Sequence, residues 1–242
     1  MKLYCIGIGP GGEEQMTLRA VRALEKCDCV AGYGLYLDLI ENLIEGKERV
    51  QTGMTKEVDR CTAARDLAKQ GKTVAVVSSG DAGVYGMAGL LFEVCENDPE
   101  IEVEVIPGIT AACSGGAVLG SPMTCDFACV SLSDLLTPWE VIEQRLRGAA
   151  QGDFCIALYN PASKKRTDHL QRACDILLEV QPPEIVCGLV RNIGREGEEY
   201  TLTTLGELRD TAVDMLTTVF IGNSRTRVVN GRMVTPRGYR GV

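Results

Sequence analysis

The sequence predicts an α/β fold of two lobes, the first around a parallel sheet and the second around a mixed one. Three observations predict it. Up to residue 119, short apolar runs alternate with helical stretches, the pattern of a doubly wound parallel sheet. Several of those runs end in clusters of glycine and other small residues. Past residue 120 the pattern becomes mixed and closes on a hairpin turn, which requires antiparallel pairing.

The stretch VAVVSSGDAGVYGMAGL, residues 74–90, organises the rest. Residues 74–77 read as a buried strand, Gly80, Asp81, Ala82 and Gly83 as a tight turn, and residues 84–94 as an apolar helix. Small residues at a strand end let a ligand approach the backbone closely. Asp81 has two readings: an acceptor for ligand hydroxyls or amines, or a cap of the following helix.

Taken in order, residues 2–8 form the first strand and run into GIGPGG, residues 7–12. This spacing satisfies G-x-G-x-x-G, the dinucleotide fingerprint. Pro10 removes a backbone donor, Glu13 and Glu14 repel a pyrophosphate, and the helix starts only at Thr17. The second strand, 28–31, also lacks an acid at its end, so the chemistry opposes the spacing. Helices follow at 18–26, with Leu18, Val21 and Leu24 as the inward face, at 36–44 and at 57–70, the last stopped by Gly71. A strand at 103–106 ends in Pro107-Gly108, and a small-residue helix spans 109–119. Gly120-Ser121-Pro122 marks a hinge, dividing the chain into lobes 1–120 and 121–242. The second lobe reads as a strand at 127–132, then a helix capped by Thr137 with Pro138 at its first position. Strands at 153–159, 184–190, 200–202 and 217–221 follow, with helices ending at Val180 and starting at Thr204, and a hairpin turning at Asn230-Gly231.

The composition narrows the function. The net charge is −8 with no basic tail, which argues against nucleic-acid binding, and no apolar run is long enough to cross a membrane. Of eleven cysteines, Cys5, Cys27, Cys29, Cys155 and Cys187 lie in apolar strand-like runs, no C-x-x-C occurs and His169 is the only histidine, so no metal site is expected. Reduced thiols and the absence of a signal peptide lead to a cytoplasmic expectation. One histidine also excludes most histidine-based acid–base schemes, and no G-x-S-x-G or P-loop occurs. What remains is a set of small-residue turns at strand ends, suited to a cofactor that carries its own reactivity. Tyr159 and Asn160 fall at such an end. Of the basic loop residues, which include Arg60, Lys164, Lys165 and Arg166, Arg191 and Arg225 are the better carboxylate clamps.

The motifs GIGPGG, SSGDAGVYGMAG, IPGITAA, SLSDLLTPWEVIEQRL, LYNPASKKR, RNIGREGE and TTVFIGNSRTRV occur in this order along nearly the whole chain. In them the chain resembles the tetrapyrrole methylase family, and SLSDLLTPWE and LYNPASKKR resemble its branch acting at C-17 of precorrin-3B or cobalt-factor III. The resemblance implies a homodimer of a two-lobed tetrapyrrole-methylase fold, with S-adenosylmethionine in the cleft between lobes and S-adenosylhomocysteine as product. It implies cofactor contacts at Gly80, Asp81, Ala82, Val84, Thr110, Ala111, Tyr159 and Asn160. The Gly9, Pro10 and Gly11 loop would line the substrate trough, and Arg191 and Arg225 would meet substrate carboxylates. Methyl transfer to C-17 would be followed by ring contraction in cobalamin biosynthesis, with Ser131, Ser133 or Asp134 moving the proton. Cys125 stands where relatives often carry histidine, which puts cobalt ligation by the protein in doubt. The alternatives are methylation at another precorrin position, an NAD-dependent oxidoreductase resting on GIGPGG, and a non-catalytic tetrapyrrole carrier.

Overall fold

A computed structural model describes residues 1–241 and divides them into two compact units, one of Met1–Ala111 and one beginning at Ala112. The first is built on five parallel strands: β1 (Lys2–Gly7), β2 (Cys29–Tyr33), β3 (Glu48–Thr52), β4 (Val74–Ser78) and β5 (Glu102–Ile106). Their order is β3-β2-β4-β1-β5. Residues 3–6 of β1 and 74–77 of β4 are continuous buried runs because both sheet faces are covered. Leu3, Cys5, Val74 and Val76 face a core with Cys61, Ala64 and Ala68 of α3 (Glu57–Lys69) and Leu91 of α4 (Ala88–Val94). Tyr4, Ile6, Ala75 and Val77 face the other, with Ala20 and Leu24 of α1 (Leu18–Glu25) and Leu37 of α2 (Gly34–Asp38). Each fully buried Leu or Ile here contributes about 1.5–3 kcal/mol.

Several expectations are corrected. α1 is capped by Thr17, whose hydroxyl accepts from Ala20 N, but Leu18 is exposed and Ala20, Ala23 and Leu24 turn inward. Small residues sit there because the helix lies close on the sheet. The 36–44 helix is instead α2 and a separate 3-10 turn, Glu41–Leu43. β3, unanticipated, is a polar edge strand, and Arg60 is buried at its end, donating to Thr52 Oγ1 at 2.8 Å and Gly53 O at 3.2 Å.

The second unit carries a five-stranded mixed sheet. Its strands are β7 (Phe127–Ser131), β8 (Cys155–Tyr159), β9 (Val186–Arg191), β10 (Glu199–Thr204) and β11 (Thr217–Ile221), in the order β10-β9-β11-β8-β7. Only β7 and β8 pair in parallel. α6 (Trp139–Gln151), α7 (His169–Leu178) and α8 (Leu205–Leu208) supply one core through Ile142, Leu146, Leu170, Leu177 and Leu205. Pro138 is the N-cap residue of α6 rather than its first helical residue, its ψ of 143° being extended. The tail hairpin, β12 (Arg227–Val229) and β13 (Arg232–Val234), forms as expected at Asn230-Gly231. It pairs with β6 (Gly120–Ser121), so the expected hinge is a strand.

The units divide just after the first residue of α5 (Ala111–Leu119) rather than at residue 120, because α5 packs on the mixed sheet. Leu119 fills the space a side chain at Gly188 would take, and Gly115 lies against Phe220. The cysteines behave as small hydrophobes: burial pushes Cys5, Cys27 and Cys174 up to about 12, far from a reactive thiolate. No disulfide occurs among the described residues, and no helix among them is long and apolar enough to cross a membrane.

The α5 contact predicts opposite outcomes for one substitution at two helical glycines. Ala at Gly148 of α6 meets nothing within 4 Å, and its better helix propensity stabilises by about 0.5–1 kcal/mol. At Gly115 the new Cβ lies 2.8 Å from the buried Phe220 ring, and overpacking of about 1–3 kcal/mol outweighs that gain. Urea unfolding midpoints of G148A and G115A check the two signs.

Candidate active site

The carboxyl ends of β4, β1 and β5 lie side by side, β5 at the edge of the parallel sheet, and the loops after β1 and β4 are joined through backbone. Gly9 N donates to Gly80 O at 3.0 Å, and Gly80 N donates to Gly9 O at 2.7 Å. A Cβ on Gly7 would stand 2.6 Å from Gly108 N and 2.7 Å from Gly80 O, and one on Gly108 would run into Gly80 O. Gly7 and Gly9 of GIGPGG are therefore used for approach between loops, whereas a Cβ on Gly12 would meet nothing. Gly9, Pro10 and Gly11 are all buried, which leaves no exposed phosphate cradle there.

Asp81 completes this junction. Its Oδ1 accepts from Gly83 N at 2.8 Å and Val84 N at 3.1 Å, and its Oδ2 from Gly108 N at 2.9 Å. The carboxylate thus pins its own turn to the loop after β5. It does not cap a helix, because residues 82–87 are turns and α4 begins only at Ala88. Thr110 and Ala111 approach the same turn, 3.7 and 3.8 Å from where a Gly80 Cβ would stand. Gly80, Asp81, Ala82, Val84, Thr110 and Ala111 thus form one cluster. Toward the edge of the same sheet, a cleft of about 430 Å³ opens between Tyr33, Gly34, Leu35, Asp38, Gln51, Thr52 and Gly53. It was not legible without β3.

In the second unit, the parallel pairing of β7 with β8 places Ser131 beside Tyr159. The Tyr159 hydroxyl accepts from Ala112 N at 2.7 Å, in the first turn of α5. Asn160, with φ 54°, turns its amide back to donate to Ser131 Oγ at 2.9 Å. Ser133 Oγ accepts from Arg166 Nη1 at 2.6 Å. Arg166 closes a tight turn, Ser163 N donating to Arg166 O and Arg166 N to Ser163 O, which leaves Lys164 and Lys165 exposed. Asp134 Oδ2 stands 3.1 Å from His169 Nε2, an ion-pair distance without hydrogen-bond alignment. The imidazole close by nevertheless holds the Asp134 carboxyl below its usual range. Asp134 is therefore ionised at neutral pH, the form that can accept a proton. The buried His169 is the residue that sequence reasoning passed over, since one histidine carried no pattern.

The two arginines expected to clamp substrate are not together. Arg191, at the end of β9, is held by the chain's own acids, donating from Nε to Asp214 Oδ2 at 2.8 Å with Glu199 Oε1 at 3.5 Å. Arg225 follows β11, whose Ile221 pairs with Ile156 and Cys187 at the starts of β8 and β9, so it lies at the other end of the sheet. Cys125 donates to Pro236 O at 3.7 Å, and no three potential metal-ligating side chains cluster among the described residues.

Both sheets thus gather small or hydroxylated residues at strand ends, the arrangement of an α/β enzyme that binds ligands by backbone and short side chains. The sequence model of the tetrapyrrole (corrin/porphyrin) methylases matches residues 2–209, and the chain belongs to that family. It is 47% identical over 98% of its length to a probable cobalt-factor III C(17)-methyltransferase of Salmonella typhimurium, covering 99% of that protein. It is also 40% identical to a precorrin-3B C(17)-methyltransferase of a Sinorhizobium species, over 99% of this chain and 97% of that one. The crystal structure of the methyltransferase CobJ matches with a TM-score of 0.90 at 38% identity, covering 97% and 99% of the two chains.

The Asp134–His169 contact has a pH consequence. A carboxyl held low in the folded state contributes stability that is present at neutral pH and lost as pH falls through its folded value. Asp134→Asn removes that contribution, so the variant should be less stable than the parent at pH 7 and converge with it in acid, once Asp134 is protonated in both the folded and the unfolded state. Thermal melts across this range check it.

Proposed function

We propose that the chain is a C-methyltransferase of cobalamin biosynthesis that transfers a methyl group from S-adenosylmethionine to C-17 of precorrin-3B or cobalt-factor III, with ring contraction. The observation that supports this most is the near-complete coverage of relatives so named, together with the glycine junction at Gly80. The residues present fit the cofactor. The turn at Gly80–Gly83 and the segment at Thr110–Ala111 offer small side chains and backbone groups, and Ala82 is fully buried. Gly80, Asp81, Ala82, Val84, Thr110 and Ala111 would hold it, and Tyr159 and Asn160 are proposed as further contacts. When bound, S-adenosylmethionine supplies a methyl group already activated on a sulfonium.

The protein's own task is then alignment and exclusion of water, for which holding donor and acceptor in place is the principal contribution. Asp81 fixes the turn from behind, and the buried Gly9–Gly11 loop shapes its substrate side. Ser131 and Ser133 present hydroxyls that can pass the proton moved in ring contraction. Asp134 stands beside them as a fixed negative charge. Lys164 and Lys165, exposed on the turn that Arg166 anchors, are better placed than the engaged Arg191 to meet substrate carboxylates. A homodimer in the cytoplasm completes the proposal. Buried thiols without disulfides fit a reducing compartment, and light scattering would show twice the 26.1 kDa chain mass.

Calorimetry with S-adenosylhomocysteine and with NADH tests the reading. Wild type should bind the first in the micromolar range and ignore the second. Asp81→Asn, which loosens the junction without emptying it, should weaken binding by about tenfold, equivalent to ~1.4 kcal/mol. Binding of NADH alone would return the glycine loop to a dinucleotide role, and binding of tetrapyrrole alone would leave a carrier.

A further inference from the structure

The segment Ser131–Asp134 leaves β7 with one apolar anchor, the fully buried Leu132. Leu135 and Leu136, which follow, are 68% and 94% exposed and hold nothing in place. The geometry of Ser131, Ser133 and Asp134 therefore depends on polar contacts from the connection between β8 and α7. These come in register: Asn160 to Ser131, Arg166 to Ser133, and His169 to Asp134.

The third contact differs from the others in coming from a buried group. The His169 side chain is only 7% exposed. Its Nε2 faces Asp134 Oδ2 and its Nδ1 faces Asp168 Oδ1, each at 3.1 Å. Nδ1 is aligned for a hydrogen bond with Asp168, whereas Nε2 meets Asp134 at ion-pair distance without that alignment. The ring edge packs on Trp139, with centroids 5.1 Å apart at 78°, and the Arg172 guanidinium lies 3.9 Å above the Trp139 ring. The imidazole is thus fixed by α6 and α7 and reaches the segment from inside the unit. It is too enclosed to meet a substrate itself.

We propose that His169 is a positioning residue for the methyltransferase reaction: through Asp134 it holds the segment that presents the Ser131 and Ser133 hydroxyls to the tetrapyrrole. This rests on the function proposed above and assigns a role to a residue outside the cofactor cluster. The charged groups around the ring are Asp134 and Asp168 at its nitrogens, Arg172 behind Trp139, and Arg166 on the neighbouring contact. The ring's effect on the reaction is exerted through the position of the segment.

Two variants separate contact from bulk. His169→Phe keeps a ring against Trp139 and removes both nitrogens, whereas His169→Gln places an amide donor near the position of Nε2. Each is measured for S-adenosylhomocysteine affinity and for kcat and KM with cobalt-factor III or precorrin-3B. In H169F, kcat should fall at least about tenfold while KM and cofactor affinity stay within about threefold, and H169Q should recover to within about threefold of wild type. Wild-type turnover in H169F overturns the proposal, and so does an equal loss in both variants, which would assign the effect to packing. If H169F does not fold, Asp134→Asn carries the test from the exposed side: the same loss confined to kcat supports the proposal and an unchanged kcat overturns it. A wild-type protein that binds no S-adenosylhomocysteine and transfers no methyl group would instead overturn the function on which the proposal rests.

Discussion

The structure of the first unit depends on a close approach of backbone to backbone. Three strand-end loops meet where Gly7 and Gly108 leave no space for a Cβ and Gly80 takes a positive φ of 69°, and Asp81 ties two of them by accepting from Gly83, Val84 and Gly108. With an alanine at Gly108 the loop after β5 would have to move off Gly80 O, and Thr110 and Ala111 would move with it. The constraint is steric and local, yet it sets where the small-residue turn lies and which backbone groups a cofactor can reach. It also explains why G-x-G-x-x-G spacing arises here without a dinucleotide: its first two glycines serve contacts between loops.

The second unit solves a different problem by different means. Its segment after β7 has Leu132 as its one fully buried apolar residue, so apolar burial alone does not fix it. Side chains from the next connection hold it instead, with Asn160 and Arg166 bonding the two serines and the enclosed His169 facing Asp134. The pair of exposed leucines directly beyond Asp134 adds no apolar anchor. Rigid backbone in one unit and pinned side chains in the other are both ways of fixing a site before the ligand arrives.

Most of the architecture was legible because it is written in local patterns. The β-branched run at Val74–Ser78, the Thr17 and Thr204 caps and the Asn230-Gly231 turn each specify one structure. β3 was not legible, since Glu48–Thr52 is a polar edge strand with little burial to leave a period. The inward face of α1 was misread because close packing there favours Ala20 and Ala23 over Leu18. Of the candidate site, the turn at Gly80 and the end of β8 could be read from strand-end position. The use of Asp81, the separation of Arg191 from Arg225 and the burial of His169 could not. Each depends on antiparallel register or on partners 23 to 35 residues away, such as Asp214 for Arg191 or Asp134 for His169.

The central claim is that this chain moves a methyl group onto one carbon of a tetrapyrrole. The most direct measurement is incubation with isotope-labelled S-adenosylmethionine and cobalt-factor III or precorrin-3B, followed by mass spectrometry and NMR of the product. The account predicts one labelled methyl group per macrocycle, at C-17 of a contracted ring. Label at another carbon, or a macrocycle recovered unlabelled beside intact S-adenosylmethionine, would contradict it.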